Sequence, residues 1–175
     1  PNYRTKLNLM QFLLADEVVF SRVIIFVKTK EHADGVYKVI KRKTEGEKRI
    51  LHSNKGQNVR INAIRDFKDG IIRILITTDV SARGIDVDKM DVVINYDLPM
   101  KTETYIHRIG RTGRIGNFGK AFSLYREEQK GFLTELEKEK KINCKEFSFP
   151  DATEMREKTE LFLEKWREKP KEREQ

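Results

Sequence analysis

Residues 105–114 read YIHRIGRTGR and place three arginines, one histidine and two glycines between His107 and Arg114. Arg108, Arg111 and Arg114 recur at every third position, with Gly110 and Gly113 interleaved. A guanidinium is always charged and binds phosphate through two parallel hydrogen bonds. Arg111 and Arg114 stand three apart, so on a helical turn they share a face. Two such forks aimed at one point suit a triphosphate terminus, whose charge grows as the phosphoryl group transfers. Surface arginines paired with nearby carboxylates would give a similar charge pattern, but two glycines inside the run argue against a plain solvated helix face.

Two other stretches hold comparable residues. In DVSARGID (79–86), Gly84 lets backbone come close to a ligand. Asp86 accepts hydrogen bonds, as a ribose hydroxyl would require, and Arg83 suits a carboxylate or a phosphate. The same residues equally suit an ordinary strand-to-helix loop in which Asp86 caps a turn. NKGQNVR (54–60) adds amides and cations. GNFGKAF (116–122) contains Gly-Lys but is no Walker A loop: Arg114 stands where the first glycine is needed and Ala121 where Ser or Thr is needed. Asp16-Glu17 in LLADE reads as a helix end. His32 and His52 have no partner His or Cys at metal spacing, and no metal ligand is assigned. The arginines for a triphosphate are present, while the loop to cradle it and a carboxylate for Mg²⁺ are not.

The elements that must carry these stretches alternate. Apolar runs at 23–27, 49–53, 71–78 and 91–97 read as buried strands, with a fifth candidate at 120–125. The run at 71–78 is aliphatic on both faces, as in the centre of a parallel sheet. Ala33, Val36, Tyr37 and Ile40 form a helical stripe, and Val59, Ile61, Ile64 and Phe67 a comparable one that Asp69-Gly70 ends. Thr102 reads as the N-cap of a short helix to Arg108, and Phe132, Leu133 and Leu136 face inward from the next. Leu7, Met10, Leu14, with Leu13 and Val18, predict an entry helix. The pattern implies an α/β domain with a mostly parallel sheet. In such sheets ligands collect at the carboxyl ends of the strands. All three chemistry-bearing stretches follow strand ends, so they should converge on one edge.

The chain has 175 residues and a net charge of +8. Residues 1–150 hold 29 basic and 20 acidic side chains, so the excess belongs to the globular part and favours a polyanion. No apolar run approaches the ~20 residues of a membrane span. Cys144 is the single cysteine, which fits a reducing compartment. Residues 151–175 read as an extension, with Met155, Thr159, Phe162 and Trp166 on one helical face, docked on the domain or on a partner, and then a polar tail. The start at Pro1 reads as a piece of a longer protein.

Together these segments resemble the second RecA-like domain of a DEAD-box RNA helicase. HRIGRTGR (107–114) is similar to that family's motif VI, TDVSARGID (78–86) to motif V, QNVR (57–60) to motif IVa and VIIFVKT (23–29) to motif IV. The likeness spans roughly residues 5–150, and HSNKGQNVR with the short tail looks closest to bacterial RhlE-type members. It implies a RecA-like three-layer α/β/α sandwich over residues 1–150. It implies that Arg111 and Arg114 meet the γ-phosphate of ATP, with Arg114 as arginine finger, and that His107 couples ATP binding to domain closure. Asp86 would bind the ribose and Gly84 lie near the phosphates. Ile115 stands where many members carry an adenine-stacking aromatic, so a base would meet apolar packing there. Gln57, Arg60 and Thr78 would touch the RNA backbone, while Arg83 and Phe26 brace the site. The resemblance also implies that ATP and Mg²⁺ are held mainly by an N-terminal RecA-like domain absent from this chain, and that the chain alone hydrolyses essentially no ATP. RNA, a monomeric state and a cytoplasmic setting complete the expectation. A DNA helicase domain of the same superfamily is an alternative, against the wording of motifs V and VI. So is a non-enzymatic RNA-binding module, which would tolerate loss of Arg111 and Arg114.

Overall fold

The computed structural model describes residues 3–83, 90–112 and 119–146. Five strands, β1 (Val23–Val27), β2 (Glu47–Leu51), β3 (Ile72–Thr78), β4 (Val92–Asn95) and β5 (Lys120–Ser123), form one parallel sheet in the order β2-β3-β1-β4-β5. Between and around them run α1 (Tyr3–Ala15), α2 (Lys30–Ile40), α3 (Gln57–Lys68), α4 (Asp79–Ala82), α5 (Thr102–Ile109) and α6 (Lys130–Lys140).

Both faces of the sheet are covered. Val23, Ile25 and Val27 of β1 pack with Leu7, Met10 and Leu14 of α1 and with Ala33, Val36 and Ile40 of α2. Ile24 and Phe26 point to the opposite face, against Ala63 and Phe67 of α3. A third cluster joins Leu98, Tyr105 and Leu136, with Phe132 and Leu133 packed against it. The three-layer α/β/α architecture expected from the sequence is present.

Several local expectations need correction. β2 is EKRIL, so His52 and Ser53 lie in the turn that follows it. On α3, Val59 and Ile61 are half exposed, at 50% and 53%. The inward face is Ala63 and Phe67, with Ile64 half-buried. Val59 and Ile61 stand two apart, which separates them by more than half a helical turn. Val18 is exposed because α1 stops at Ala15 and Asp16 turns the chain, its Oδ1 accepting from the Val18 and Val19 amides at 3.1 and 2.9 Å. Asp16 is therefore a helix end, as read. Lys101 takes the N-cap position of α5, and Thr102 is its buried first residue.

The register of β2 against β3 shifts so that Glu47 pairs with Ile72 and Lys48 with Ile74. Arg73 is the extra residue of this bulge. The shift puts Ile72 and Ile74 on opposite faces. It also frees Arg73 to donate to the carbonyls of Leu14, Phe20 and Glu45, at 2.6, 3.0 and 2.7 Å.

Candidate nucleotide and RNA site at the carboxyl edge

Because every strand is parallel, Val27, Leu51, Thr78, Asn95 and Ser123 all end at one edge. β2 and β3 are neighbours, so the first turn of α3 and the end of β3 share one half of that edge. Gln57 opens α3 and is exposed; Arg60, one turn later, is half-buried. Arg60 Nη2 donates to the Arg83 carbonyl at 2.8 Å, which ties the start of α3 to the end of α4. Thr78 closes β3, half-buried, and its hydroxyl makes no capping bond to α4.

The other half is organised by Arg108. The sequence groups this residue with two further cations, but it is 2% exposed. Its Nε and Nη2 grip both oxygens of Asp79 at 2.7 Å each. Nη1 donates to Asn95 Oδ1 at 3.0 Å and to the Asp97 carbonyl at 2.7 Å. The guanidinium carbon lies 4.8 Å from the Phe26 ring centre. One side chain thus joins the ends of β1, β3 and β4. Asn95 Nδ2 continues the network to Ser123 Oγ at 3.1 Å, and Tyr105 Oη meets the same hydroxyl at 3.0 Å. Burial raises the Tyr105 phenol above its ordinary pKa, partly offset by this hydrogen bond. Buried charge-assisted networks of this kind hold their members in a single arrangement.

His107, one residue before Arg108 on α5, is exposed. α5 ends at Ile109, and the chain continues in tight turns, with the Arg111 amide on the Arg108 carbonyl (3.2 Å) and the Thr112 amide on the Ile109 carbonyl (2.9 Å). Arg111 therefore stands just past the helix, half-buried. Gly84, Asp86, Arg114 and Ile115 lie outside the described residues, as does the Met155–Trp166 segment. Thr112 makes a parallel bridge to Met90, which brings the segments after α4 and after α5 side by side.

The chain matches the model of the helicase conserved C-terminal domain over residues 5–116. It is similar to the C-terminal domain of the DEAD-box protein Dbp5, with a TM-score of 0.80, 34% identity and coverage of 91% of this chain and 92% of that one. The chain belongs to the DEAD-box helicase C-terminal domain family. A DEAD-box protein from the hyperthermophile Methanococcus jannaschii superimposes with a TM-score of 0.74 at 35% identity, over 84% of this chain and 40% of that one. The ATP-dependent RNA helicase DeaD of Buchnera aphidicola is 40% identical over 82% of this chain and 23% of its own length. DbpA of Bacillus subtilis is 39% identical over 84% of this chain and 30% of its own. The chain thus spans about a quarter to a third of these curated relatives.

In this DEAD-box C-terminal domain the two expected braces act differently. Phe26 offers its ring to Arg108; Arg83 offers its backbone carbonyl, and its side chain is exposed. His32, left unassigned from sequence, meets Asp97 Oδ2 at 2.7 Å, and the Lys28 amide donates to the same oxygen at 2.9 Å. Among the described residues no three His, Cys, Asp or Glu side chains gather as a metal site. Arg108 and Asp79 are the functional pair that sequence reasoning missed. A signal existed: Thr102, Tyr105 and Arg108 stand at i, i+3, i+6 and form the buried face of α5.

Proposed function

We propose that this domain is the second half of an ATP-dependent RNA helicase that unwinds short RNA duplexes or remodels ribonucleoprotein. The observation that carries the reading is the hydrogen-bonded relay along the carboxyl edge. Arg60 holds Arg83 of the α4 turn, Asp79 of the same turn holds Arg108, and Arg108 holds Asn95. These bonds support the reading by linking Arg60 and the Thr78-Asp79 corner to α5, the helix that leads into Arg111.

In this reading Gln57, Arg60 and Thr78 contact the sugar-phosphate backbone, so binding is salt-sensitive and poor at telling sequences apart. Arg111 and Arg114 meet the γ-phosphate, with Arg114 as the arginine finger, and His107 couples that contact to domain closure. Gly84 and Asp86 adjoin the phosphates and ribose, and Ile115 packs on the base. ATP, with Mg²⁺, supplies the driving force and sits mainly on an N-terminal RecA-like domain, so the chain alone turns over essentially no ATP. The subfamily we favour is the bacterial RhlE type, on the segment HSNKGQNVR. A monomer fits, and so does the cytoplasm, since Cys144 has no disulfide partner within the chain. Residues 1–150 are the working domain, with 151–175 as its extension.

The test is RNA-stimulated ATP hydrolysis by this chain joined to its N-terminal domain, wild type beside Arg114→Ala. Arginine fingers contribute on the order of 10³–10⁵ in rate. Turnover should collapse by about that factor with RNA affinity roughly kept. Unchanged turnover would assign the arginines to another anion and end the helicase reading of this stretch.

A further inference from the structure

His52 sits at the carboxyl end of β2, where the chain leaves the sheet for the loop that starts α3. Its side chain is 5% exposed. Ring Nδ1 accepts the Asn54 amide at 3.3 Å, and the His52 carbonyl accepts the Lys55 amide at 3.0 Å. With Nδ1 accepting, the ring proton resides on Nε2. Nε2 is buried without a hydrogen-bond partner, and Asp34 Oδ1 of α2 faces it at 3.6 Å, too long for a hydrogen bond but within reach of its charge.

The loop between has little else to hold it. Ser53, Asn54, Lys55 and Gly56 are exposed. Gly56 occupies the N-cap of α3 with no side-chain cap, and a Cβ there would meet nothing within 4 Å. Yet this loop leads directly into Gln57 and the first turn of α3, where Arg60 is also held by its bond to the Arg83 carbonyl. A leucine or phenylalanine would fill the space of the ring without burying an unpartnered donor. The feature that an apolar residue lacks is the Nδ1 acceptor, which closes the same turn an Asn side chain closes two residues ahead of itself.

We propose that His52 is a positioning residue for RNA binding: held from the Asp34 side, its ring fixes the 53–56 loop and so delivers Gln57 and Arg60 to the RNA backbone. The inference rests on the reading of those two residues as RNA contacts.

The experiment measures binding of a fluorescent single-stranded RNA oligonucleotide to the 175-residue chain at low salt, with amide NMR of the 53–56 loop on the same samples. The variants are Arg60→Ala, His52→Phe, His52→Asn and the half-exposed Asp34→Asn. Arg60→Ala should weaken binding and so uphold the contact reading. His52→Phe should keep the sheet's amide pattern, shift the loop amides, and weaken binding about three- to tenfold, the scale of one hydrogen bond. His52→Asn, which keeps the acceptor, should recover most of the loss. Should His52→Phe fail to fold, Asp34→Asn carries the same readout, with smaller loop shifts and a smaller loss expected. Wild-type binding by His52→Phe and Asp34→Asn beside a weakened Arg60→Ala would overturn the positioning role alone. Equal losses in His52→Phe and His52→Asn would also overturn it, in favour of simple packing. Wild-type binding by Arg60→Ala would overturn the contact reading, and the proposal with it.

Discussion

Each edge of the sheet is closed by an arginine, half-buried at the amino edge and fully buried at the carboxyl edge, and the two are held in different ways. At the amino edge, Arg73 donates to three backbone carbonyls and has Glu17 at 3.6 Å. At the carboxyl edge, Arg108 is held by a carboxylate, an amide, one carbonyl and a ring. Backbone carbonyls belong to turns whatever the side chains are, so Arg73 fastens the end of α1 and the turns before β1 and β2 to the sheet without involving a functional group. Arg108 takes its partners from the carboxyl ends of β1 and β4 and from Asp79, the residue that follows β3. The amino edge is built for stability, and the carboxyl edge couples stability to the site.

The largest expected effect tests that contrast. Arg108→Met should leave Asn95 and the part-exposed Asp79 without their buried partner and cost about 3–4 kcal/mol in urea unfolding, the lower part of the range for removing one member of a buried pair, because water reaches Asp79. RNA binding by the folded fraction should fall as well, because Asp79 follows Thr78 directly. A loss below about 1 kcal/mol, the level of a surface pair, would mean that Arg108 does not hold the edge together.

Arg73→Met should cost less, about 2–3 kcal/mol, although it removes three hydrogen bonds from a charged donor. The Glu45 carbonyl lies in an exposed turn where water can replace the guanidinium. RNA binding by the folded fraction should stay at the wild-type level. If binding fell as far as in Arg108→Met, the edges would be coupled through the sheet, and the division of labour would be wrong.

Sequence legibility divides along similar lines. β1, β3 and β4 were readable because burial on both faces makes their aliphatic runs continuous. β2 is an edge strand with alternating exposure, and it starts two residues ahead of its apolar run, since Lys48 is buried while its Nζ donates to the Thr44 and Gly46 carbonyls. The convergence of the three stretches followed from parallel topology alone. The role of Arg108 did not follow, because its decisive partner, Asp79, is 29 residues away and meets it through tertiary packing. The bulge at Arg73 was equally hidden, being a property of a strand pair and not of one strand.

The smallest effect concerns α1, which runs between the two edges. Its Leu14 carbonyl is held by Arg73, while Lys6 Nζ donates to the Tyr96 carbonyl at 2.9 Å, with Asp97 Oδ1 at 3.9 Å. Burial lowers the Lys6 pKa, against the pull of Asp97, from an ordinary value of 10.5. A lysine with a lowered folded pKa binds its proton less well folded than unfolded, so its charge opposes folding at neutral pH. That opposition lifts as pH rises from the folded value towards 10.5, and stability gains the Lys6 share across this window. Tyr105 and Tyr125, both raised chiefly by burial, act in the opposite sense above 10.0 but do so equally in a variant that keeps them. Urea midpoints for wild type and Lys6→Met, followed from neutral pH to 10.5, isolate the lysine as their difference. Wild type should gain on the variant as pH rises. A constant difference would show that Lys6 keeps its proton equally well in both states, its contacts with Tyr96 and Asp97 offsetting its burial.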